Sequence, residues 1–167
     1  MNEQLLVAGG GIGGLAAALA AARAGWDVRL YERAATFSEV GAGIQLGPNS
    51  VRCLQAWGLQ KPLQAVAAFP ERLLVRSALT GQALAELPLG DTAIARYGAA
   101  YATVHRADLH ALLRQALAAQ PAVQLHPGTA IAGYFEADGV VRVRTAAGRE
   151  VEGDALVGAD GLWSAVR

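Results

Sequence analysis

The sequence has one cysteine, Cys53, no surplus of either charge and no uninterrupted apolar run long enough for a membrane. Each shortage removes a class of function. A single cysteine excludes an internal disulfide and is consistent with a reducing compartment. The 14 Lys and Arg are balanced by 14 Asp and Glu, so the electrostatic footprint of a nucleic-acid binder is missing, and no run of basic residues marks a surface for anionic lipid. The stretch from Leu5 to Ala22 carries no charge, but five glycines interrupt it and Glu3 stands where a basic n-region would be. It is therefore read as neither signal peptide nor membrane span, and the chain is expected to be cytoplasmic. His105, His110 and His126 have no spacing with carboxylates or Cys53 that would build a zinc or iron site, and each reads as a surface or satisfied polar residue. No serine sits in a Gly-x-Ser-x-Gly elbow, which leaves acyl transfer without support.

What is present is a chain of 167 residues, long enough to bury a core as one domain. Its organising stretch is Leu5-Leu6-Val7-Ala8-Gly9-Gly10-Gly11-Ile12-Gly13-Gly14-Leu15, read as strand, glycine turn and helix. Gly9, Gly11 and Gly14 fit Gly-x-Gly-x-x-Gly: the first permits the tight turn, the second admits a pyrophosphate, and the third lets helix and strand pack closely. Unpaired backbone N–H groups and the positive end of the helix dipole then favour the phosphates without a basic side chain. The loop lacks the Gly-Lys-Ser/Thr ending of a P-loop. Leu15 to Arg23 is rich in helix formers, Gly25 ends that helix, and Asp27 to Glu32 supplies a second strand. Glu32 lies about 20 residues past the glycines, where an acid can bond an adenosine ribose. The competing reading is a structural turn plus a surface glutamate.

Further along, three glycines and Pro48 in Val40 to Asn49 imply backbone that bends or approaches something closely. Pro48 suits the first turn of a helix running to about Trp57 with Gly58 as its stop, and Cys53 on that helix reads as a small core residue. Arg72 to Leu89 reads as a hairpin around Thr80-Gly81, Asp91 to Ala100 as irregular, and Tyr101 to Val104 as a strand. Leu109, Leu112, Leu113, Ala116 and Leu117 recur at helical spacing, with Asp108 near the start and Pro121 beyond the end. Val123 to His126 is read as a strand and Ala130 to Val151 as an antiparallel meander turning at Asp138-Gly139 and Ala147-Gly148, with Arg142 and Arg144 on its solvated face. Asp154 to Arg167 reads as strand, turn and the opening turn of a helix, from which the chain is expected to be a C-terminally truncated part of something longer.

Three stretches together resemble the FAD-dependent aromatic-ring monooxygenases of the para-hydroxybenzoate hydroxylase fold. They are Val7 to Gly14 with Glu32-Arg33, Val104-His105-Arg106-Ala107-Asp108-Leu109, and Gly158-Ala159-Asp160-Gly161 continuing to Ser164-Ala165-Val166-Arg167. Within that family, Glu39 to Asn49 looks most like the branch acting on salicylate, 3-hydroxybenzoate and related hydroxylated aromatic or heteroaromatic acids. The resemblance implies an α/β fold, a Rossmann-type FAD-binding region over residues 1–167 with a parallel sheet and a small antiparallel insertion. It implies that Gly9, Gly11 and Gly14 cradle the FAD pyrophosphate, that Glu32 takes the adenosine ribose and that Arg33 lies beside the adenine. Arg106 would reach the flavin's phosphate and ribityl region, and Asp160 would help bind FAD and the nicotinamide donor. Read from their own surroundings, Arg106 could equally be a surface arginine at a helix start and Asp160 a turn residue or N-cap.

Enzymes of this family reduce FAD with NADH or NADPH, form a flavin C4a-hydroperoxide with oxygen and transfer one oxygen atom to a small aromatic acid. The resemblance implies that activity for the parent protein and names no catalytic acid, base or metal within these residues. It places a later ribityl-binding motif and the elements covering the substrate beyond Arg167, so the 167 residues alone are not expected to turn over. Two rivals remain at this point: an NAD-dependent dehydrogenase or reductase, since Glu32 serves either ribose, and a non-catalytic nucleotide-binding module.

Overall fold

The apolar run near the N-terminus folds as the expected strand, β1 (Gln4–Ala8), and the alanine-rich stretch beyond the glycines as α1 (Ile12–Arg23). In chain order there follow β2 (Asp27–Glu32), β3 (Gly43–Leu46), α2 (Pro48–Ala56), α3 (Gln60–Val66), β4 (Ala67–Ala68), β5 (Arg72–Arg76), β6 (Ala83–Pro88) and α4 (Gly90–Tyr97). The remainder is β7 (Ala102–His105), α5 (Arg106–Ala118), β8 (Val123–Pro127), β9 (Ile131–Ala137), β10 (Val140–Thr145), β11 (Glu150–Gly153) and β12 (Ala155–Gly158). The computed structural model describes residues 2–37 and 41–167. Its contacts divide the chain into two units, Met1–Glu39 with His110–Arg167, and Val40–Leu109.

The first unit is built on a parallel sheet in the order β12-β1-β2-β8, with Leu5 opposite Val28 on one side and Ala155 on the other. Leu5 to Ala8 are all buried, as expected of a parallel strand covered on both faces. On one side α1 packs on β1 and β2 and buries Leu15, Ala18 and Leu19. On the other, Leu6 and Tyr31 join Val143 and Val151 in one cluster, with Ile131 and Leu156 at its margin. Those partners come from the antiparallel meander β9-β10-β11, which is the expected insertion. Its first turn places Asp138 and Gly139 at φ 56° and 79°, the geometry of a two-residue hairpin loop. Arg142 pairs across the strands with Glu152 at 2.9 Å and Arg144 is exposed, while Val143 between them is buried, so the alternation reads as expected.

His126 departs from the reading of a surface or satisfied histidine. It lies opposite Tyr31 in the β2–β8 register, and the two rings stack at 4.8 Å between centroids and 13° between planes. Its Nε2 is buried without a hydrogen-bond partner among the described residues. Burial pushes the Tyr31 phenol above its ordinary value, while burial, helped by Arg29 and Arg149, holds the His126 ring below 6.5. A histidine with a depressed folded pKa binds fewer protons folded than unfolded, so stability is retained above about pH 6.5 and falls as the pH drops below it. His126→Phe keeps the stack and removes the titration. Its melting temperature is expected to change less than that of the unsubstituted chain between pH 7.5 and 5.5, on the order of two pH units across that window, measured by thermal scans. Parallel pH dependence would show that His126 is not the group responsible.

The second unit holds the antiparallel sheet β3-β7-β4 and the hairpin β5-β6. Leu46, Val51, Leu54, Leu63, Ala93, Ala102 and Val104 are buried. The hairpin and the helix opened by Pro48 are as expected, and three readings are corrected. Gly43–Leu46, taken as bending backbone, is a strand against β7; the Ser38, Glu39 and Val40 that precede it lie outside the described residues. Cys53 is exposed and not in the core, because the buried stripe of α2 runs through Val51 and Leu54, three residues apart, and Cys53 falls off it. Asp91 to Ala100, taken as irregular, contains the helix α4, with Asp91 in its first turn and Gly98 in the left-handed conformation at its end. Only Ala93 of that helix is buried, so its apolar periodicity was too weak to see, and Tyr97-Gly98 was a helix stop and not a loop.

Candidate dinucleotide site

The strand order puts β1 between β2, which follows it through α1, and β12, which arrives from the far end of the chain. That is where the order of an open parallel sheet reverses, and a crevice opens beyond the carboxyl ends of its strands. Gly9 begins the loop there. Its N–H donates to the Tyr31 carbonyl at 2.8 Å, and Ala159, just past β12, donates to the Ala8 carbonyl at 2.7 Å. Gly9 has φ 104°, and a Cβ there would collide with the carbonyl of Ala159 and lie 2.7 Å from the Asp160 nitrogen. Glycine is thus required both by conformation and by space. Gly14, buried in the first turns of α1, is required by space alone, since its Cβ would run into the carbonyl oxygen of Gly9.

Gly11 differs from both. Nothing lies within 4 Å of where its Cβ would be. It is the N-cap of α1, with extended backbone, no side-chain capping bond and no acidic residue in the following turn. The uncapped first turn thus sits at the positive end of the helix dipole beside open space at Gly11, an arrangement that fits a pyrophosphate. Gly9 and Gly14 thus make the tight turn and the close helix–strand approach that the spacing implies, and Gly11 leaves the space beside it open.

Glu32 lies at the end of β2, beside the same loop. Its Oε2 accepts the Gly10 N–H at 2.6 Å and its Oε1 accepts the Ala34 N–H at 2.8 Å. Each carboxylate oxygen has a further lone pair, so Glu32 can hold the loop and still accept from a ribose hydroxyl. Arg33 follows in the exposed turn after β2.

Asp160 stands two residues beyond β12. Partial burial raises its pKa, but the Ser164 hydroxyl and the amides of Ala165, Asp160 and Val166 outweigh this and hold the carboxyl below its ordinary value. Oδ1 accepts from Ser164 Oγ at 2.6 Å and Oδ2 from the Ala165 N–H at 2.7 Å. The expected opening turn of a helix is replaced by a turn at Leu162-Trp163 organised by this carboxylate. Arg106 belongs to the other unit, at the start of α5. Its N–H donates to the Ala42 carbonyl at 3.2 Å and its stem lies against Gly41, where a Cβ would be 2.8 Å from the Arg106 Cβ.

One contributor was missed. His110 is buried, and its Nε2 lies 2.8 Å from the Gly10 carbonyl. Its satisfied state was anticipated but its place at the glycine loop was not. The signal was available: His110 shares a helical stripe with Leu113 and Leu117, three and seven residues on, both buried.

Residues 2–167 match the family model described as "FAD binding domain". The chain is 43% identical over 166 residues to a 6-hydroxynicotinate 3-monooxygenase of Bordetella bronchiseptica, covering 99% of this chain and 43% of that protein. It is 38% identical over 163 residues to a 3-hydroxybenzoate 6-hydroxylase of Polaromonas naphthalenivorans, covering 98% and 41%. Among solved structures, the Klebsiella pneumoniae HpxO complex with FAD and uric acid superposes with a TM-score of 0.82 at 29% identity, over 98% of this chain and 40% of that one. The chain therefore spans about two-fifths of the length of the relatives it matches. A glycine loop with an open, uncapped helix start, at the switch point of a parallel sheet and within a family match over nearly every residue, leads to one conclusion: the chain belongs to the FAD binding domain family.

Proposed function

We propose that this chain is the FAD-holding part of a monooxygenase that uses NADH or NADPH to hydroxylate a small hydroxylated aromatic or heteroaromatic acid. The observation that carries the proposal is the open, uncapped start of α1 at Gly11, flanked by Gly9 and Gly14 where no side chain fits. The relatives' names supply the reaction class, since the chain's likeness to a hydroxynicotinate and a hydroxybenzoate enzyme extends over its whole length. FAD, when bound, supplies the oxygen-activating chemistry. The residues of this chain bind and orient it: the α1 N–H groups take the pyrophosphate, Glu32 the adenosine ribose, Arg33 flanks the adenine, and Arg106 adds a charge-assisted contact to the phosphate and ribityl region. Asp160, already bonded within its own loop, serves the FAD and nicotinamide side by fixing the backbone after β12.

The test is a visible absorption spectrum of the purified chain before and after incubation with FAD and desalting, followed by a fluorescence titration. Flavin bands that stay with the protein are expected. Tight binding of NAD(H) with no measurable FAD binding would overturn the cofactor assignment. NADH or NADPH oxidation stimulated by 6-hydroxynicotinate or 3-hydroxybenzoate supports the full activity, whereas flavin binding without oxidation limits these residues to a binding module. Arg106→Ala is expected to weaken FAD binding about 10- to 100-fold, the range for one hydrogen bond to a charged group. An unchanged affinity removes Arg106 from the site.

A further inference from the structure

The glycine loop is held from its protein side at every peptide. The Gly9 N–H goes to the Tyr31 carbonyl, the Gly10 N–H to Glu32, and the Gly10 carbonyl to His110. A carbonyl can only accept, so the 2.8 Å contact requires a proton on His110 Nε2. The ring is enclosed: His110 is 4% exposed, and the Phe37 ring lies 6.1 Å away between centroids. Phe37 and Glu32 also fill the space a Gly10 Cβ would enter, at 2.5 and 2.9 Å. One side of the loop is therefore packed, while the space at Gly11 is open.

The Gly10 carbonyl and the Gly11 N–H belong to the same peptide unit. In a planar trans peptide the two point in opposite directions, and no cis bond occurs here. Fixing the carbonyl toward His110 fixes the Gly11 N–H away from it, toward the open side. We infer that His110 is a positioning residue for the cofactor pyrophosphate: through Nε2–H it locks the Gly10–Gly11 peptide so that the Gly11 N–H is presented to a phosphate oxygen before any ligand arrives. The inference rests on the FAD reading proposed above for the identity of the ligand, but the lock itself is a property of the chain. Without it that peptide could rotate and offer its carbonyl oxygen to the phosphate, which an anion would reject. Preorganisation of this kind lowers the cost of binding without adding a contact.

The test compares His110→Leu, which fills the site but cannot donate, with His110→Gln, whose amide N–H can reach the same carbonyl. FAD affinity by fluorescence titration is expected to fall about tenfold in the Leu variant and to return to within about threefold in the Gln variant, the scale of one hydrogen bond. A folded Leu variant with unchanged affinity overturns the inference, as does a Gln variant no better than Leu, since packing alone would then be at work. Nitrogen NMR of the His110 ring in the unsubstituted chain gives an independent reading: the proton is expected on Nε2, and a bare Nε2 with the proton on Nδ1 overturns the inference even if the variants fail to fold. If the unsubstituted chain binds no FAD, the cofactor reading fails, and the ring tautomer still decides whether the lock exists.

Discussion

Gly14→Ala is expected to destabilise the chain by about 2 kcal/mol or more, while Gly13→Ala, one residue earlier, is expected to stabilise it by roughly 0.5–1 kcal/mol. The two substitutions add the same methyl group to the same helix and gain the same helix propensity. They differ in what the methyl meets. At Gly13 it enters open space, and the residue is exposed. At Gly14 it collides with the carbonyl oxygen of Gly9 and touches the Ala159 Cβ at 3.4 Å. Gly9 cannot yield, because its N–H is bonded to Tyr31 and its own surroundings leave no room beside Ala159. The helix must therefore shift off the loop, and because the methyl meets backbone, the overpacking cost falls at the upper end of the usual range, about 3 kcal/mol, which leaves about 2 kcal/mol after the propensity gain. For a chain of this size the loss corresponds to a melting temperature lower by about 4–8 °C. Thermal denaturation of both variants checks the opposite signs, and FAD titration checks the accompanying loss of affinity in Gly14→Ala. Equal melting temperatures for the two variants would refute the close approach of α1 to the loop.

Glu32→Ala is expected to damage the chain even with no cofactor present. An acid that served only a ribose would leave the unliganded protein untouched. Here both carboxylate oxygens accept backbone N–H groups, and Gly10 is buried. Removing the acceptor leaves the Gly10 N–H without a partner, at about 1–3 kcal/mol, whereas the exposed Ala34 N–H regains water. A melting temperature lower by several degrees, about 2–4 °C per kcal/mol, should accompany an FAD affinity reduced by more than about tenfold. Glu32→Gln halves the clamp, because its single amide oxygen replaces one of the two oxygens that now accept from Gly10 and Ala34. It should fall between Glu and Ala in stability. A Glu32→Ala variant with unchanged stability and lowered affinity would reduce Glu32 to a ribose ligand.

The dinucleotide half of the fold was legible because its physics is local. Gly9, Gly11 and Gly14 are spaced by the turn they make, Glu32 ends a strand whose apolar run is continuous, and the meander is punctuated by Asp138-Gly139 and Ala147-Gly148. Where the reading failed, residue type was followed over the pattern of the element or the partner lay far off in the chain. Cys53 was assigned to the core by residue type, yet Val51 and Leu54 decide which side of α2 is covered. Gly43–Leu46 is a strand only because β7 pairs with it. The spacing proposes Glu32 as a ribose acid, but its role as a clamp on the loop needs Gly10 placed beside it, 22 residues away. His110 required still more, since nothing in Asp108-Leu109-His110 names a partner 100 positions earlier. Patterns in sequence report which side of an element is covered, and only tertiary structure reports by what.

The sheet order also bears on how the chain is made. β1 can pair with β2 as soon as Glu32 has left the ribosome, but its other edge is completed only by Ala155–Gly158. At about 5–20 residues per second, a translating ribosome leaves that edge open for roughly 6–25 seconds. During that interval Leu5, Leu6 and Val7 present unpaired backbone on a strongly apolar strand, a template for pairing with other chains. The element that positions the glycine loop is thus a liability of the nascent chain, and slowed elongation through the middle of the message should raise aggregation more than the same slowing before Glu32.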